Sequence, residues 1–144
     1  MTDLITKERR SWNMSRIRSR DTSPEMRVRS FLHRAGYRFR LHTKNLPGSP
    51  DIVLPKHRTA IFVHGCYWHR HEGCKQGEYF PKDPKQGLEF WKEKFAKNVE
   101  RDLRSTTALE DAGWTVLVIW ECETKTEEQI INALISLLFK ERTK

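Results

Sequence analysis

Residues 61–74 read Ile61-Phe-Val-His-Gly-Cys-Tyr-Trp-His-Arg-His-Glu-Gly-Cys74. The first three positions are apolar and β-prone, the end of a buried strand. His64, Cys66, His69, His71 and Cys74 then follow closely, with Tyr67 and Trp68 among them. So many nitrogen and sulfur donors beside two adjacent aromatics exceed what packing requires.

Working outward toward the N-terminus, Thr59–Val63 reads as that strand and Pro55–Arg58 as the turn before it. Asp51-Ile-Val-Leu54 is an earlier strand, entered from the turn-rich loop Asn45–Pro50. Tyr37, Phe39 and Leu41 alternate with Arg38, Arg40 and His42, a half-buried strand. Ser23-Pro24-Glu25 supplies an N-cap, a proline at the first helical position and an acid in the first turn. Val28, Phe31, Leu32 and Ala35 continue that helix, and Gly36 closes it.

Toward the C-terminus, Gly73–Gly87 is polar and irregular, a surface loop. A long helix is expected from Glu89 to Ala112, ending at Gly113, with Trp91, Phe95, Val99 and Leu103 facing the core. Trp114–Trp120 is almost wholly apolar, as a central strand covered on both faces would be. Thr126 to Gln129 matches a capping box before a final helix, Ile130–Phe139. The order α-β-β-β-α-β-α predicts an α/β fold, a mixed sheet flanked by helices.

At 144 residues the chain suits one domain, residues 22–144, preceded by an arm over residues 1–21. Residues 1–44 hold 12 Lys or Arg against 4 acids, whereas residues 45–144 hold 15 of each. The whole excess of +8 therefore sits in the arm and first helix, a field that attracts nucleic acid. No run approaches the roughly 20 apolar residues of a bilayer span. Charges stand where a secretory leader needs its apolar stretch, so a cytoplasmic location is expected. Three cysteines leave one over from any disulfide scheme, and in a reducing compartment metal binding is the better use.

Several candidates for chemistry follow. If the strands at 51–54 and 59–63 form a hairpin, Asp51 and the Val63–His64 peptide meet at one sheet end. A carboxylate beside a backbone carbonyl suits Mg²⁺, which takes oxygen ligands. Glu25 could hold a metal-bound water there. Turn chemistry for Asp51 and the helix dipole for Glu25 are the plainer uses. Cys66, His71, Cys74 and Cys122 make a set for structural Zn²⁺, against the alternative of inert buried thiols. His64 and His69 remain to move protons, unless they are ordinary loop histidines. Tyr67, Trp68 and Trp91 could stack on or wedge between bases, although core packing is the commoner use of tryptophan.

Taken together, the Arg-rich start through SPEMRVRSFLHRAGYRFRLH, then LPGSPDIV, FVHGCYWHRHEGC, FWKEKFAKNVERD and GWTVLVIWEC resemble the very-short-patch repair (Vsr-type) DNA mismatch endonucleases. The match spans nearly the whole chain. It implies a restriction-endonuclease-like core with an added zinc site. Asp51 and the Val63 carbonyl would ligate catalytic Mg²⁺, Glu25 would act through its water, and His69 would transfer the proton with His64 beside it. Cys66, His71, Cys74 and Cys122 would hold zinc. Tyr67, Trp68 and Trp91 would intercalate beside the mispaired base. The usual paired acid and lysine on the next strand are missing, because that strand reads Phe62-Val63-His64.

The expected activity is Mg²⁺-dependent nicking of one strand of duplex DNA next to a T:G mismatch, which initiates very-short-patch repair. A monomer suffices, since one nick needs one active site. Duplex DNA is the expected partner, with other mismatch-repair proteins as further ones. A non-catalytic zinc-stabilised DNA-binding module is the rival reading, and a zinc hydrolase using His64 or His69 as ligand is a third.

Overall fold

The computed structural model describes residues 22–83, 85–135 and 137. The basic arm and the end of the last helix, to Phe139, lie outside the described residues. Helix α1 (Ser23–Arg34) is followed by β1 (Arg40–Leu41), β2 (Ile52–Leu54) and β3 (Thr59–His64). Two short helices, α2 (Cys66–His69) and α3 (Lys75–Glu78), lead to the long α4 (Leu88–Asp111). Strand β4 (Thr115–Trp120) and helix α5 (Glu127–Ala133) complete the order.

The four strands form one sheet in the order β1-β2-β3-β4. Strands β1 to β3 pair antiparallel, with Leu54 opposite Thr59 across a 3₁₀ turn at Pro55–His57. Strand β4 pairs parallel to β3, placing Val63 against Ile119 and His64 against Trp120. A parallel pair needs a long crossover, and α4 supplies it.

Side chains alternate across this sheet. Ile61, Leu117 and Ile119 meet Val28 and Leu32 of α1 and Ile130 of α5. Ala60, Phe62, Val116 and Val118 meet Leu109 of α4 on the other face. Each fully buried Ile or Leu contributes roughly 1.5–3 kcal/mol, so both layers stabilise the sheet end that carries His64.

Several local expectations need correction. Thr22, not Ser23, caps α1, its hydroxyl accepting from the Glu25 N–H at 3.4 Å. Only Arg40–Leu41 of the predicted Tyr37–His42 strand pairs: on one side the partner β2 gives way to the turn at Pro55, and on the other His42 turns left-handed at φ 48°. Strand β4 is covered on both faces but lies at the sheet margin among the described residues, and β3 is internal. An apolar run reports covered faces and says nothing of the edge. On α4 only Phe95 of the predicted core row is buried, whereas Val99 and Leu103 are exposed. The helix packs through Phe95 near its start and Leu109 near its end, leaving the middle open. The loop after Cys74 is also more ordered than expected, since α3 packs Gly77 directly on the His71 backbone.

Candidate active site and metal centres

The tight turn at Gly65–His69 separates the functions crowded into residues 61–74. Gly65 starts a single helical turn, in which positions i and i+3 share a side. Cys66 is buried and His69 partly so, while Tyr67 and Trp68 turn instead onto Phe95 of α4. Arg70 ends the turn in a left-handed conformation, φ 57°. That reversal sends His71 and Cys74 back toward Cys66.

Cys66, His71, Cys74 and Cys122 bring one ligand atom each to within 4.8 Å of the others. His71 Nδ1 lies 3.7 Å from Cys66 Sγ and 3.4 Å from Cys122 Sγ. A zinc tetrahedron with Zn–N and Zn–S bonds of about 2.0–2.3 Å has nitrogen–sulfur edges of about 3.6 Å, so the donor set fits that ion. Burial pushes the Cys66 thiol up to about 12. Such a thiol becomes a thiolate only beside a cation. Backbone N–H groups of Gly77 and Gln76 hold the Cys74 thiol below its ordinary range. The His71 ring stacks on Trp120 at 4.3 Å, which fixes its orientation.

The second group forms where β2 and β3 end. Asp51 Oδ2 accepts the Val63 N–H at 2.8 Å. In a strand the N–H and C=O of one residue face the same side, so the Val63 carbonyl is turned toward Asp51 as well. Glu25, buried in the first turn of α1, and His42 join Asp51 within 4.8 Å. Burial raises the Asp51 carboxyl to about 6; the Val63 N–H opposes that shift and the Glu25 carboxylate adds to it. Two crowded carboxylates disfavour each other's charge, and a divalent cation relieves both, so these residues fit a Mg²⁺-type ion.

His64, His69 and Asp102 form the third group. The two imidazoles stack at 3.8 Å, nearly parallel at 3°. His69 Nδ1 lies 2.6 Å from Asp102 Oδ2, on α4. Burial lowers His64 to about 4, with neighbouring His69 adding to the effect. A cleft of about 230 Å³ runs between Asp51, Val63 and the histidine pair, with Arg101 and Asp102 on its rim. A larger cavity of about 810 Å³ shares His64 and His69 and extends over Val99, Leu103 and Val118. Both are lined by His64, His69 and Asp102, but Asp51 and Val63 line only the smaller one.

Tyr67, Trp68 and Trp91 gather around Phe95, with ring centroids 5.3, 6.1 and 5.7 Å from it. Trp68 is half exposed, and Lys94 lies 5.9 Å over its ring. Every site residue expected from the sequence is therefore drawn into one of these four groups. Asp102, His42, Arg29 and Trp120 were not foreseen. Asp102 falls on a polar stretch of α4 where many acids occur, so spacing gave no signal for it.

The family model described as DNA mismatch endonuclease Vsr matches residues 2–76. The chain belongs to this family. It is 51% identical over 123 residues to the type II nicking enzyme V.XorIIP of Xanthomonas oryzae pv. oryzae, covering 85% of this chain and 87% of that one. Identity to the type II nicking enzyme V.NmeAIP of Neisseria meningitidis is 46%, over 88% and 87% of the two chains. Identity to the DNA mismatch endonuclease Vsr of Escherichia coli is 43%, over 94% and 84%. The protein is thus a nuclease.

Proposed function

We propose that the protein nicks one strand of duplex DNA next to a T:G mismatch in a Mg²⁺-dependent reaction, initiating very-short-patch repair from a restriction-endonuclease-like core. The observation that carries this reading is the cleft that has Asp51 at one end and the His69–Asp102 pair at the other. A phosphodiester lying there meets an oxygen-rich cation site and a proton-transfer residue together.

Asp51 and the Val63 carbonyl would hold the catalytic Mg²⁺, and Glu25 would act through water held by it. When bound, that ion stabilises negative charge developing on the phosphoryl oxygens. Asp102 accepts from His69 Nδ1, which leaves His69 Nε2 as the atom that takes or gives a proton. His64, kept neutral by burial, lacks the additional proton of an imidazolium near pH 7 and stands beside the His69 ring, stacked on it at 3.8 Å. Attack by water on phosphorus breaks the bond to the leaving oxygen.

Zn²⁺ on Cys66, His71, Cys74 and Cys122 stiffens the loop that presents the aromatics. Tyr67, Trp68 and Trp91 wedge beside the mispaired bases, because a mismatched step costs less to unstack. The basic arm, residues 1–21, and α1 hold phosphates without reading sequence. A monomer working on DNA in the cytoplasm fits this scheme. Among the described residues, no helix is long and apolar enough to cross a membrane.

The test compares nicking of T:G and matched duplexes with Mg²⁺, for the wild type and Asp51→Ala. The wild type is expected to nick only the mismatched duplex efficiently and Asp51→Ala neither. Full activity of Asp51→Ala would overturn the site. Salt-sensitive binding without any nicking by the wild type would favour a non-catalytic DNA-binding module.

A further inference from the structure

His42 has no part in the mechanism above, yet it is aimed into the same carboxylate site. Its backbone is left-handed at φ 48°, a region that costs a non-glycine residue energy unless the surroundings enforce it. Its N–H donates to the carbonyl of Asp51 at 3.1 Å, which ties it to that residue. Its side chain then reaches Glu25, with Nε2 3.3 Å from Oε2.

Arg29 bears on the same two atoms. Its guanidinium pairs with Glu25 Oε2, and NH2 lies 2.9 Å from His42 Nε2. A guanidinium only donates, so His42 Nε2 presents its lone pair to this point. A positive group is therefore already favoured between Glu25 and His42. The ligand atoms of His42, Asp51 and Glu25 all lie within 4.8 Å of one another, a span that the ligands and ligand-held water of one octahedral ion with bonds of about 2.1–2.3 Å can cover.

We propose that His42 Nε2 is a direct nitrogen ligand of the divalent-metal centre formed with Asp51, so that the centre prefers Mn²⁺ or Co²⁺ to Mg²⁺. This rests on the reading of Asp51 as a metal ligand. Imidazole suits transition metals, whereas Mg²⁺ takes oxygen and parts reluctantly with water. Ligation would require the Arg29 guanidinium to leave His42, where NH2 now lies 2.9 Å from Nε2.

The experiment is Mn²⁺ titration of the zinc-loaded full chain, followed by electron paramagnetic resonance, with pulsed detection of nitrogen coupled to the bound ion. The wild type should show ¹⁴N coupling, and its frequencies should change on ¹⁵N-histidine labelling. Asparagine tolerates the left-handed backbone, so His42→Asn is the chosen variant. It should lose the coupling and bind Mn²⁺ about tenfold more weakly, while Mg²⁺ affinity changes less than about threefold. His64→Gln and His69→Gln should keep the coupling. A wild type without nitrogen coupling, or coupling that persists in His42→Asn, overturns the proposal with no demand on the other variants. Asp51→Ala separates the two levels: if it still binds Mn²⁺ fully, the metal centre itself is misassigned.

Discussion

His69 Nδ1 and Asp102 Oδ2 lie 2.6 Å apart, joining the short helix α2 to the middle of α4. A carboxylate at Nδ1 favours the tautomer with its proton there, and His69 lines the cleft. Asp102→Asn is expected to lower kcat by about 10²–10⁴-fold, the range for losing an oriented proton-transfer group, with KM for DNA little changed. Single-turnover nicking measures this. An equal rise in KM with kcat intact would assign Asp102 to DNA binding instead.

Gly77 has no room for a side chain. A Cβ there would meet the His71 carbonyl oxygen at 2.0 Å, so Gly77→Ala must push α3 off the loop bearing His71 and Cys74. The expected cost is about 1–3 kcal/mol, with a fall in bound zinc. Cys122→Ala should lose the zinc outright. Thermal unfolding and metal analysis check both, with Gly87→Ala as control because open space surrounds that position. Normal zinc content in Cys122→Ala would refute the four-ligand set.

Two buried groups pull the pH dependence of stability in opposite directions. Burial lowers His64 from 6.5 to about 4, so between those values the unfolded chain binds a proton that the folded protein rejects. Stability contributed by neutral His64 thus rises with pH across that window. Burial raises Asp51 from 3.8 to about 6, so there the folded protein keeps a proton that the unfolded chain has lost, and stability falls with pH. Urea unfolding from pH 4 to 7 without added Mg²⁺ should show a steeper rise for Asp51→Asn and a flat or falling profile for His64→Gln. The reverse pattern would contradict both assignments.

Trp68 stands half exposed at the edge of the aromatic cluster, held through its carbonyl by Asn98 Nδ2 at 3.2 Å. As a wedge it should matter for choosing a mismatch more than for cleaving. Trp68→Ala is expected to cut the preference for T:G over matched duplex by at least about fivefold, the equivalent of losing about 1–3 kcal/mol of stacking. An unchanged ratio would leave Trp68 as packing.

The sequence by itself determined the elements and much of the site. Helical spacing marked α1, Gly36 and Gly113 marked helix ends, and the capping box at Thr126 marked the start of α5, because these signals depend only on neighbours along the chain. The zinc-type donors were legible for the same reason: three of the four lie within nine residues of one another. Tertiary structure decided what no local pattern encodes. The parallel pairing of β3 with β4 carried Cys122 to Cys66 and set Trp120 against His64 and His71. The packing of α4 selected Asp102 from the many acids on that helix. The left-handed turn at His42 brought an imidazole to Glu25 and Asp51, ending a strand that alternation alone would have continued. Periodicity records which residues must leave water. It does not record which distant surface they meet.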